Sequence, residues 1–121
     1  MDISTRESCR AYVLPQASWA NGVTAALTPT MKVNGMVEMI EVKINNNTGD
    51  KTLTLTITDE NSGQLYTKAG IPESATTIYN SNKATADFDK FMSAGLLTFT
   101  LTPSGDPGES GMTADIVLFV R

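Results

Sequence analysis

Thr52-Leu53-Thr54-Leu55-Thr56-Ile57-Thr58 decides the fold class. Every odd position in it is a large aliphatic and every even one is Thr, the period-two pattern of a strand with one face on a core and a ladder of hydroxyls on the other. Leu97-Thr98-Phe99-Thr100-Leu101-Thr102 repeats the arrangement and stops at Pro103, which has no N–H for a sheet ladder. β-branched Thr suits the pleated surface of both segments.

Working outward, Met36 to Ile44 also reads as a strand, but its phase changes along the way. Ile40, Val42 and Ile44 share a parity with Glu38, which does not belong on an apolar face. One extra residue flips everything beyond it, so the sequence predicts a bulge near Met39-Ile40. The run Ile116-Val117-Leu118-Phe119-Val120 is apolar at both parities. It predicts a strand covered on both faces, or one whose outer face meets another molecule. Further strand candidates are Cys9 to Leu14, Val23 to Thr28, Gln64 to Lys68 and Thr76 to Asn80.

The connections carry turn chemistry. Asn45-Asn46-Asn47-Thr48-Gly49-Asp50 and Asp59-Glu60-Asn61-Ser62-Gly63 each lie between strands and predict hairpins, because Asn and Gly accept positive φ. Pro103 to Gly111 predicts a mobile loop on the rim. Asp87 to Gly95 alone suggests a helical turn, with Asp87 as cap, Phe88, Phe91 and Met92 at i, i+3 and i+4, and Gly95 as stop. Residues 1 to about 30 hold the only Trp, Trp19, together with Pro15 and Pro29, and show no sustained alternation. They read as an extended arm or edge strands, packed either along their own domain or onto a neighbour.

The expectation is therefore an all-β protein, a compact antiparallel β-sandwich, jelly-roll-like or a partly open barrel. An N-terminal arm or edge segment occupies residues 1–22 and the sandwich domain residues 23–121. There is no fixed-period repeat and no low-complexity tract.

Composition narrows the chemistry. The 121 residues include 13 acidic and 9 basic ones, a net charge of -4, with Lys and Arg scattered singly. No basic stripe exists to neutralise phosphates, so nucleic acid is not an expected partner. With no His and a single Cys, Cys9, the chain cannot assemble a Ser-His-Asp or Cys-His set, an imidazole zinc cage or an internal disulfide. Asp59 to Gly63 has the wrong spacing for a calcium loop. Asp87 and Asp89 lack the apolar setting that raises a carboxyl pKa. Gly105, Gly108 and Gly111 lack the strand and helix of a phosphate cradle. The expectation is a non-enzyme without cofactor or metal. No apolar run is long enough for a membrane span, and the start Met1-Asp2-Ile3-Ser4-Thr5-Arg6-Glu7 does not read as a signal peptide.

Leu55 to Tyr66 as a strand and hairpin, Gly95 to Leu101 before a Gly-Pro loop, and the closing strand ending at Val120-Arg121 together resemble small virion proteins of tailed bacteriophages. Head-decoration or cement proteins are the nearest kind, with head-tail accessory proteins beside them. The resemblance spans most of residues 36 to 121 and implies a structural protein, assembled in the host cytoplasm, that binds the major capsid protein or another virion protein. It implies a small homo-oligomer, a trimer foremost, that bridges neighbouring shell subunits. Aromatic anchors dominate interfaces, so Tyr12 and Trp19 in the N-terminal segment and Phe119 in the last strand are the candidate contact residues. The alternative is a carbohydrate-binding or adhesion module, which would expose aromatic rings for stacking.

Overall fold

The computed structural model describes residues 9–80 and 88–121, and every regular element within them is a β-strand. In chain order these are β1 (Arg10–Val13), β2 (Ala17–Trp19), β3 (Thr30–Ile44), β4 (Leu53–Thr58), β5 (Gln64–Ile71), β6 (Ala75–Asn80), β7 (Phe91–Pro103) and β8 (Met112–Val120). All pairings between them are antiparallel.

Hydrogen bonding links the strands in the order β1-β8-β3-β7-β4-β5, with β2 beside β8 and β6 beside β3. The long strand β3 belongs to two layers. Its first half, Thr30 to Val37, pairs with β7, which continues to β4 and β5 in a back layer. Its second half, from Met39, lies between β8 and β6 in a front layer that β1 and β2 extend. The result is an all-β antiparallel sandwich.

The crossing is made at a bulge. The β3–β8 register steps from Val37↔Val120 to Met39↔Phe119, leaving Glu38 without a counterpart. Val33 and Val37 are buried before that step, and Ile40, Val42 and Ile44 after it. One unpaired residue thus turns both halves of the strand toward the same core, as strands that change layers require.

Alternation sets the core as the sequence predicts. Leu53, Leu55 and Ile57 of β4 and Leu97, Phe99 and Leu101 of β7 point inward, as do Ile116, Leu118 and Val120 of β8. The Thr residues between them pair across the back layer, Thr54↔Thr102, Thr56↔Thr100 and Thr58↔Thr98. Thr56 also shares a hydroxyl hydrogen bond of 3.0 Å with Thr67 on β5.

Four expectations need correction. Asn45 to Asp50 does not close a hairpin, because β3 and β4 are not paired with each other; the segment carries the chain from the front layer to the back. Its Asn47 is buried and ties the corner locally, accepting the Lys51 N–H at 2.8 Å and donating to the Lys51 carbonyl at 3.1 Å. Phe91, Met92 and Gly95 are not helical but lie in the first half of β7, where pairing with β3 outweighs a three-residue helical spacing. Asp87 lies outside the described residues. Val23 to Thr28 is not a strand and touches the sheet only through the bridge Leu27↔Leu101. The segment from Pro103 to Gly111 is anchored: Ser104 N–H donates to the Thr52 carbonyl, Gly49 N–H to the Pro107 carbonyl, and Thr48 and Ser110 exchange hydrogen bonds. The Asp59 to Gly63 hairpin forms as expected, with Asp59 Oδ1 accepting the N–H groups of Asn61 and Gly63.

Candidate docking surface

The outer face of the front layer is built from residues at the unburied parity of four strands. In β8 these are Val117 and Phe119, both half-buried while Ile116, Leu118 and Val120 are fully covered. Register places Ala11 of β1 and Met39 of β3 on either side of Phe119. Val13 and Glu41 flank Val117 in the same way, and Ile78 of β6 lies next to Glu41. Two adjacent rows therefore cross the sheet, Ala11–Phe119–Met39 and Val13–Val117–Glu41–Ile78. Five of these seven side chains are larger than alanine and apolar. Val13 is 66% exposed, the most open large hydrophobic among the described residues.

The edges of the patch are polar. Lys43 and Asp115 face each other in the next row, and Gln16 donates to Asp115 Oδ1 at 3.1 Å. Apolar side chains gathered around an aromatic one, with Glu41 the charge inside the patch and a polar margin, resemble the make-up of a protein–protein contact.

The candidate contact residues fall in different places. Phe119 lies at the centre of the outer face. Tyr12 pairs with Leu118, hence faces inward, and packs against the core with the Arg10 guanidinium 5.8 Å from its ring centre. Trp19 is a core residue, 1% exposed, its indole N–H donating to the Ala25 carbonyl at 2.8 Å. The segment from Arg10 to Trp19 is thus laid along its own domain through β8.

Met39 and Ile78 complete the patch, and the sequence reading singled out neither as a contact residue. For Met39 a signal existed, since a bulge before it moves it to the face opposite Ile40. Ile78 has none, because its neighbours on the patch are distant in the chain.

Two carboxylates elsewhere tie parts of the chain together. Glu38 at the bulge receives Arg121 at 3.1 Å and Lys90 at 3.3 Å. Asp106 Oδ1 accepts the N–H groups of Gly108 and Gly22, each at 2.9 Å, and these two donors hold its carboxyl below the usual range. Burial pushes the Tyr79 phenol up, against the opposing effect of the Lys68 ammonium. Among the described residues no group of three or more Asp, Glu or Cys converges as a metal site would require. Also among them, no helix is long and apolar enough to cross a membrane.

No family model matches the chain, and no curated protein matches it. Among solved structures it is similar to a chain from infectious bursal disease virus, Gx strain, with a TM-score of 0.47 and 10% identity over 93% of this chain. That match takes in 32% of the viral chain, so this protein spans about a third of its length.

Proposed function

We propose that this protein is a structural component of a virion, of the head-decoration kind, that docks on shell subunits through the outer face of its front layer. The observation that carries the reading is the apolar patch centred on Phe119, on a strand whose inner face is buried and whose outer face is half-buried. Its support from sequence is the resemblance of residues 36 to 121 to phage head-decoration and cement proteins. Repeated over a lattice, modest contacts add through multivalency, so each copy needs only a limited patch.

The positions of the aromatic residues weigh against the carbohydrate-binding alternative. Trp19, Tyr66, Tyr79, Phe88 and Phe99 are buried, and Tyr12 and Phe91 pack against the core. Among the described residues Phe119 is the one aromatic left on an outer face, and a lone ring offers no stacking platform for a sugar chain.

The test is a density gradient of native particles from cells that make the protein. The chain should band with the particles, and Phe119→Asp should reduce the banded amount at least tenfold while its circular dichroism stays that of the parent. Recovery of the parent chain only at the top of the gradient, or equal banding of the variant, refutes the reading.

A further inference from the structure

A second surface lies on the back layer, away from Phe119. β4 ends at Thr58, opposite Thr98, whereas β7 extends back to Phe91. From Phe91 to Leu97, β7 therefore has β3 on one edge and, among the described residues, no strand on the other.

The direction of its N–H groups follows from the bonds they make. Phe99 and Leu101 donate to Pro29 and Leu27 on the β3 side, so odd residues face that way. Leu96 donates the other way, to Glu60 Oε1 at 2.8 Å. By alternation, the N–H and C=O groups of Met92 and Ala94 face the open edge.

The side chains fit such an edge to a ligand. Met92 is 60% and Leu96 40% exposed, and neither Lys nor Pro guards the stretch. Between it and the β4–β5 turn runs a groove of about 280 Å³. Its apolar lining includes Leu65, Met92 and Leu96, and among the described residues its charged groups are Asp59 and Glu60, with no Lys or Arg. Glu60 is exposed, and its carboxylate caps the outward N–H of Leu96.

We propose that this edge binds an extended, basic peptide segment of a partner protein by strand addition. The segment would lie along β7 in line with β4, exchange main-chain hydrogen bonds with Met92 and Ala94, and place a Lys or Arg against Glu60. Charge selects this occupant over a second copy of the chain. The same stretch of a second copy, Phe91 to Leu97, carries no Lys or Arg to set against Asp59 and Glu60.

The probe is a fluorescein-labelled synthetic heptapeptide alternating lysine and valine, with a glutamate-for-lysine peptide as control. On the intact protein, the lysine peptide should slow amide exchange at Met92 and Ala94 at least tenfold and bind at least tenfold tighter than the control. Glu60→Gln should weaken it at least threefold, and Ala94→Pro, which removes an edge donor, should abolish it. Should Ala94→Pro fail to fold, exchange on the parent protein decides. Phe119→Asp should bind the peptide unchanged, which separates this site from the docking face. Unaltered exchange at both amides, or equal binding of the glutamate peptide, overturns the proposal.

Discussion

At Gly35 two main chains approach too closely for a side chain. An added Cβ would sit 2.6 Å from the Arg121 carbonyl oxygen and 2.8 Å from Val120 Cγ1, at a φ of +130° that other residues avoid. Arg121 and Met36 exchange main-chain hydrogen bonds of 2.9 Å beside it, so little can give way. Gly35→Ala should cost about 1–3 kcal/mol in denaturant unfolding, the range for strained backbone and overpacking. A cost under about 0.5 kcal/mol would show that the C-terminal end of β8 yields. Asp106 provides a pH-dependent contact of known sign. Its folded pKa is depressed by the Gly108 and Gly22 N–H groups, so its contribution is present above the unfolded pKa and is lost as pH falls through the depressed one. The amide proton signals of both glycines should therefore titrate only in acid, below the usual carboxylate range, and Asp106→Asn should remove that titration. A midpoint above that range would contradict the hydrogen-bond pattern.

At the scale of elements, the strands with the strictest alternation were readable, and those whose partners are distant were not. β4 and the second half of β7 announce themselves because Leu, Ile and Phe alternate with Thr and need no partner to be recognised. The β3 bulge was readable for a related reason: Glu38 conflicts in parity with Ile40, and one unpaired residue resolves it. By contrast, Asn45 to Asp50 has the composition of a turn, but composition does not state which strand follows in space. The spacing of Phe88, Phe91 and Met92 suits a helical turn, and only the neighbour β3 makes Phe91 and Met92 a strand. Likewise Phe119 could be singled out within its own strand, whereas the patch around it is made by register with β1, β3 and β6. Removing Glu38 tests the bulge. Deleting that one residue would put Val37 or Met39 out of phase, exposing one half of the apolar set of β3. Such a deletion should unfold the protein in thermal scans, while Glu38→Gln, which keeps the residue count and loses only partly exposed ion pairs, should cost less than about 1 kcal/mol.

For the whole molecule, the anticipated division at residue 22 meets a core that reaches into the first segment. Leu14, Ala17 and Trp19 are buried in the same cluster as Leu118 and Phe99. Leu14 N–H also donates to the Ile116 carbonyl, and Asp106 ties Gly22 to the far end of β7. Removing residues 1 to 20 therefore takes the largest buried side chain out of the sandwich and strips β8 of its outer strands. Truncation of a buried Trp alone costs about 3–5 kcal/mol. That is a large share of the roughly 5–15 kcal/mol by which a domain of this size is stable. The shortened chain should lose its cooperative thermal transition, and any failure to attach to particles would then report unfolding instead of a missing contact. Trp19→Phe refines the comparison, since it keeps most of the ring volume and loses the hydrogen bond to Ala25. It should fold with a lowered melting temperature and still band with particles, provided Phe119 is intact. Loss of particle binding by folded Trp19→Phe, with Phe119→Asp binding normally, would move the docking surface from the outer face of β8 to the N-terminal segment.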